Sequence, residues 1–153
     1  MTADSIRQLL ERSYAAHERG DRAFLIDLLH DEVEWTLHSP PELLPVPNRI
    51  KGKANLIAAF AKIDEVVEVM RNDLQIVIVE NDRAALVVDS TLRQLATGRV
   101  LRYKMAAFHR YCDGRQIEYQ GFMDSVDLMQ QTIGRELDLP DAYAEGDVRL
   151  PLK

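Results

Sequence analysis

The chain has 153 residues, enough for one domain around a single buried core. A net charge of -6 and a pI near 5.2 argue against nucleic acid as a partner, because a phosphate-binding face needs a surplus of Lys and Arg. The single cysteine, Cys112, excludes an intrachain disulfide, and no apolar run reaches the ~18 residues of a membrane-spanning helix.

The first residues, MTADSIRQLLER, carry charges where a secretory leader needs an apolar core, so the expected location is the cytoplasm. Thr2 to Glu18 has the spacing of an amphipathic helix, with Ile6, Leu9, Leu10, Ser13, Tyr14 and His17 on one face. Thr2 or Asp4 can cap its start, and Gly20 can end it in a left-handed turn. Asp21 caps a second, shorter helix with Phe24, Leu25, Leu28 and Leu29 facing in. A short strand follows from Val33 to His38, with Val33, Trp35 and Leu37 on one side and Glu34, Thr36 and His38 on the other. Four of the six prolines then fall between 40 and 47 and predict an ordered loop, placed to rim an opening.

Gly52 to about Val69 reads as a third helix, striped by Leu56, Ile57, Phe60, Ile63 and Val67. Strands are expected at Leu74–Val79, Ala84–Leu95, Val100–Tyr111 and Gln116–Asp124, with turns at Asn81-Asp82, Thr97-Gly98 and Asp113-Gly114. Ser125 to about Ile133 forms a short helix. Helices first and an antiparallel meander after them is α+β grammar. Residues 1–134 are expected to form one domain, and 135–153 a tail on the surface or on a partner subunit.

A last hairpin turning on Asp113-Gly114 pairs Tyr103 with Asp124, Met105 with Phe122, Ala107 with Gln120 and His109 with Glu118, all on one face. Lys104, Ala106, Phe108, Arg110, Ile117, Tyr119, Gly121 and Met123 share the other. Both faces are largely apolar, so both should be covered. Helices cover one. A second copy of the chain is the expected cover of the other, with the C-terminal tail as the alternative. Asp124 at the end of the last strand can shuttle a proton if it faces a cavity, or cap the helix that follows it. Tyr103, and Tyr14 on the first helix, can steady an oxyanion or simply pack. His109 is a base candidate whose alternative is a pair with Glu118. Trp35, Leu37, Phe60, Met105 and Phe122 suit a pocket wall or plain core. No cluster has metal-ligand spacing and no Gly-rich phosphate loop exists, so no metal or cofactor is expected.

Three blocks, GDRAFLIDLLHDEVEW, KGKANLIAAF and FHRYCDGRQIEYQGFMDSVDLMQQ, resemble the SnoaL-like and ketosteroid-isomerase-like branch of the nuclear transport factor 2 superfamily. The resemblance covers about Ile6 to Ile133. It implies a cone-shaped α+β fold of the cystatin-like kind, three N-terminal helices against a strongly curved mixed sheet, with a deep apolar pocket. Cyclases and limonene epoxide hydrolases of this group place a working aspartate at the end of the last strand, which Asp124 matches. The hydrolases' Arg and Asp fall here at Val88 and Ser90, and their first-strand Tyr and Asn at Trp35 and Leu37, so that water-activating set is missing. The base and acid positions of ketosteroid isomerases fall at Leu37 and Ala107, respectively, so that pair is missing as well. The cyclases' histidine near the last hairpin has a counterpart in His109. The implied activity is cofactor-independent proton transfer of the cyclase, isomerase or dehydratase type. Its substrate would be an apolar cyclic carbonyl compound, with Asp124, Tyr103 and His109 catalytic and Tyr14, Val88, Ser90, Ala107 and Gln120 among the pocket residues. The alternative is a non-catalytic ligand-binding or dimerisation module.

Overall fold

Thr2 opens the first helix by a reciprocal cap with Ser5, whose backbone N–H donates to the Thr2 hydroxyl at 3.2 Å while the Thr2 N–H donates to the Ser5 hydroxyl at 2.9 Å. The computed structural model describes residues 1–137. They run α1 (Ala3–Glu18), α2 (Arg22–Asp27), β1 (Leu29–His38), β2 (Arg49–Lys51), α3 (Lys53–Asp64), β3 (Val67–Glu80), β4 (Arg83–Gln94), β5 (Val100–Cys112), β6 (Arg115–Met123) and α4 (Ser125–Ile133). The tail expected from Arg135 lies outside the described residues from 138 on.

The fold is α+β with one six-stranded mixed sheet, ordered β2-β1-β6-β5-β4-β3. Strands β3 to β6 form the expected antiparallel meander, and β1 joins it parallel to β6. Two buried clusters result. Ile6 and Leu10 of α1 pack on Leu86, Val88, Ala107 and Tyr111. Val33, Trp35 and Leu37 of β1 pack with Ile50, Leu56 and Ala59. Tyr119 and Met123 of β6 touch both clusters. Full burial of such an aliphatic side chain contributes about 1.5–3 kcal/mol, so α1 and α3 are held mainly by these stripes.

Three expectations need correction. The third helix stops at Asp64, not near Val69, because Val67 and Val69 pair with Gln94 and Leu92 instead; the β-branched run gains more from the sheet edge than from another helical turn. Strand β3 therefore starts at Val67 rather than Leu74. The proline loop leads into a short strand, β2, that the proline run concealed, and β1 begins at Leu29, where a helix was expected to continue.

The last hairpin matters most. Tyr111 and Cys112 pair with Gln116 and Arg115 as the turn predicts, but Arg110 pairs with Glu118, leaving Ile117 out of the ladder. Gln116 donates its backbone N–H to the Leu28 carbonyl at 2.8 Å, so the chain is tied to β1 where the extra residue is inserted. A one-residue offset exchanges the faces of everything beyond it. His109 therefore faces Tyr119, Ala107 faces Gly121 and Met105 faces Met123. Gln120 and Phe122 move to the outer face and leave the pocket wall.

Candidate functional site

The inner face of the sheet and helices α1–α3 enclose a cavity of about 190 Å³. Strands from both sides of the sheet contribute, with Trp35 and Leu37 from β1 and Val67, Val69 and Asn72 from β3. Most of the wall is aliphatic or aromatic. The polar groups are few: Ser13, Tyr14 and His17 on α1, Arg22 on α2, Asn72 on β3, Ser90 on β4, Tyr103 and His109 on β5, and Gln116 and Tyr119 on β6.

His109 is the group that stands out. It is 7% exposed, and neither ring nitrogen has a hydrogen-bond partner. Its ring meets Tyr14 and Tyr119 edge-on, at 6.2 and 5.2 Å between centroids, and lies parallel to Tyr111 at 6.2 Å. Burial lowers its pKa to about 4, opposed by the nearby Gln116 side chain, which approaches the ring as a hydrogen-bonding group without reaching the geometry of a full bond, so the ring is neutral at pH 7. The expected pair with Glu118 does not form. Glu118 lies on the opposite face and accepts from Arg110 at 2.9 Å.

Asp124 corrects the sequence reading most sharply. It lies beyond the end of β6, is exposed, and is absent from the cavity wall. Its carboxylate accepts the Asp127 backbone N–H at 3.1 Å and caps α4. The aspartate and Tyr103 are not opposed; Tyr103 pairs with Ser90 of β4.

The remaining residues divide cleanly. Tyr14, Trp35, Leu37, Phe60, Ser90, Tyr103 and Met105 line the cavity as expected. Val88 and Ala107 are fully buried behind it, packed under α1 with Ile6 and Leu10. Gln120 and Phe122 lie on the outer face, where His38 stacks on Phe122 at 4.1 Å and contacts Gln120 at 3.3 Å. Burial raises the Tyr14 hydroxyl well above its ordinary range, with neighbouring Tyr119 adding to the effect, and burial likewise raises Tyr103. Both stay protonated donors at neutral pH. Ser90 donates to the Asn72 side chain at 2.8 Å, and Tyr119 donates to the Met105 sulfur at 3.4 Å.

Among the lining residues that escaped the sequence reading, four matter most. Tyr119 and Met123 were hidden by the register offset, Asn72 by a helix that ends early, and Arg22 by the absence of any pattern around it. Arg22 donates from Nε to Asp64 at 2.8 Å, from Nη2 to the other Asp64 oxygen, and from Nη1 toward the His17 Nε2 at 3.1 Å, with its guanidinium 5.1 Å from the Phe60 ring centre. His17 must present a lone pair to it, and burial beside this cation lowers the His17 pKa to about 4. Among the described residues no cluster of His, Cys, Asp and Glu is arranged to hold a metal, and no helix is long and apolar enough to cross a membrane.

The site is therefore an apolar hollow between an α+β sheet and three helices, with a buried imidazole in its wall. The SnoaL-like domain family matches residues 10–119, and the chain belongs to that family. Among solved structures, a protein from Rhodopseudomonas palustris provisionally named an isomerase is 25% identical, with a TM-score of 0.77 over 88% of this chain and 100% of that one. An NTF2-like protein from Burkholderia xenovorans LB400 is 21% identical, with a TM-score of 0.71 over 86% and 98%. An LEH-like epoxide hydrolase from M. tuberculosis is 11% identical, with a TM-score of 0.70 over 86% and 92%. Among curated proteins no sequence matches this chain.

Proposed function

We propose that this protein is a small-molecule enzyme that moves a proton on an apolar cyclic carbonyl compound with its own side chains, and that His109, not Asp124, carries the proton. The observation behind this reading is the unpartnered imidazole in the cavity wall. A buried polar group without a partner costs about 1–3 kcal/mol, a cost that a bound ligand's oxygen or an abstracted proton offsets. The resemblance to a provisionally named isomerase supports the same class of chemistry.

In this mechanism the ligand carbonyl accepts a hydrogen bond from the Tyr14 hydroxyl. The free lone pair of neutral His109 takes the proton from the α carbon, and the C–H bonding pair becomes the enolate. Burial disfavours an isolated imidazolium, but the imidazolium and enolate form together, so neither charge is left alone in the dry cavity. Returning the proton to the same carbon gives exchange, and returning it to a conjugated carbon gives isomerisation.

The test is α-proton exchange of cyclohexanone in deuterated water, followed by NMR. His109→Gln should slow the protein-catalysed rate by about 100-fold or more. An unchanged rate in that variant, or a wild-type rate equal to buffer, overturns the proposal. One observation favours a second reading, a non-catalytic binding module: the cavity wall holds no Asp or Glu. Saturable binding without exchange identifies that case.

We also propose that a second copy covers the outer sheet face. Ile76, Ile78, Phe108 and Phe122 are 52%, 61%, 50% and 39% exposed there. Charged pairs, Arg110–Glu118 at 2.9 Å and Lys104–Asp89 at 3.5 Å, flank this apolar band, the apolar-centre and polar-rim layout of a protein interface.

A further inference from the structure

We infer that the cavity selects an uncharged single-ring molecule of about six to ten heavy atoms bearing at least one oxygen, and rejects ionised analogues and polycyclic compounds. This deepens the proposed function and rests on the same cavity, but it concerns what binds rather than what is done to it.

Size is the first argument. A cavity of about 150 Å³ accommodates benzene, while sites for drug-sized ligands begin near 300 Å³. At about 190 Å³ this one is sized for a substituted single ring, and three fused rings would project out of it.

Charge is the second. Arg22 is the one cation among the lining residues, and none of them is Asp or Glu. The guanidinium is already committed to both Asp64 oxygens, to His17 and to the face of Phe60. A ligand carboxylate meets a cation that Asp64 has neutralised, and a ligand ammonium meets no anion. The neutral imidazoles of His17 and His109 offer neither charge a partner. Burying an unpaired charge is far more costly than burying a hydrogen-bonded carbonyl. The neighbouring surface carries the same bias. Tyr14 and Asn72 also line an open polar groove between α1 and β3, together with Glu11, Glu18, Asp73 and Arg71. Arg71 pairs with Asp73 at 2.9 Å, so the groove's unbalanced charge is negative and repels anions.

The polar chemistry of the wall is the third argument. Neutral His109 has one nitrogen that donates and one that accepts, and among the described residues the Gln116 side chain is the one protein group near enough to compete with a ligand for them. A ketone oxygen or a ring hydroxyl meets that demand without a formal charge.

Trp35, the chain's only tryptophan, stacks on Tyr119 in the cavity wall at 5.8 Å and supplies the readout. Tryptophan fluorescence of the full chain at pH 7.5 is titrated with cyclohexanone, 4-oxocyclohexanecarboxamide, 4-oxocyclohexanecarboxylate, cyclohexylammonium and anthrone. The ketone and the carboxamide should saturate the signal. The carboxylate, nearly the same shape as the carboxamide, should bind at least about 100-fold more weakly, the ammonium likewise, and anthrone should not saturate. Asp64→Asn, at a side chain 42% exposed, frees Arg22 and should tighten the carboxylate at least about tenfold while leaving the ketone within about twofold. Equal wild-type binding of carboxylate and carboxamide, no gain in Asp64→Asn, anthrone competing with cyclohexanone, or no response to any ring compound each overturns the inference. Ketone binding without proton exchange overturns the proposed enzyme and leaves this inference standing. Exchange that proceeds on polycyclic ketones does the reverse.

Discussion

Two side chains exchange roles between the sequence and the folded chain. Asp124 was the expected proton carrier and serves as the cap of α4, accepting from Asp127. Asp124→Ala should therefore cost about 0.5–2 kcal/mol in urea unfolding and leave proton exchange at the wild-type rate. His109 was expected either as a second catalytic group or in a pair with Glu118, and it lies in the wall of the cavity without that pair. Its pKa of about 4 lies below the ordinary 6.5 because burial disfavours the charged ring. Between those two values the unfolded chain binds more protons than the folded one, so stability rises with pH across that window. From pH 7.5 down to pH 5 this one group should lower the unfolding free energy by about 2 kcal/mol. His17, lowered to about 4 by burial and by Arg22, acts in the same direction. Urea midpoints measured at the two pH values check this. The His109→Gln variant should show a shallower fall that retains the His17 part, and an identical fall would remove the argument for a neutral buried ring. The sequence held the residue types of this site but not their orientations. A histidine on an apolar strand looks the same whether it faces Glu118 or a hollow.

At the scale of elements, the helices and turns were legible because their signals are local. Thr2, Asp21, Asp113-Gly114 and the periodic stripe of α1 each act within a few residues, and each formed as read. Asp113 and Gly114 both take positive φ, +49° and +80°, the backbone that a two-residue hairpin requires. What escaped was non-local. Ile117 leaves the ladder where Gln116 is tied to Leu28, the residue just before β1 and some 88 residues earlier in the chain, and nothing in the hairpin's own sequence announces that tie. The early end of α3 has the same origin, since Val67 and Val69 follow their partners on β4 rather than the helical stripe behind them. The offset also explains a glycine. Gly121 now faces inward, where an added Cβ would lie 2.8 Å from the Tyr119 hydroxyl and 2.9 Å from Leu37 Cδ1. Gly121→Ala should displace Tyr119 from Met105, destabilise the fold by about 1–3 kcal/mol, and weaken cyclohexanone binding. Thermal unfolding together with the tryptophan titration checks both effects, and a wild-type result in both would mean that the inner register is not as described.

The molecule as a whole joins a closed inner face to an open outer one. Mostly apolar side chains line the inner face, and five of the thirteen residues expected at the site lie elsewhere. Asp124, Gln120 and Phe122 are lost to the end and far side of the sheet, and Val88 and Ala107 to the core beneath α1. For the outer face we expect a dimer in solution by light scattering. Phe108→Glu, at a half-exposed side chain, should yield a folded monomer with an unchanged circular dichroism spectrum, and a wild-type chain that is already monomeric would contradict the proposed partner. The account as a whole depends on His109 being an unsatisfied, neutral group that a ligand satisfies. Nitrogen-15 NMR of histidine-labelled protein measures this at the atoms concerned. Addition of cyclohexanone should shift a His109 ring nitrogen to a hydrogen-bonded value in step with the Trp35 signal, while the other three histidines stay put. A His109 spectrum that is already hydrogen-bonded without ligand, or that does not move as Trp35 responds, would contradict the account.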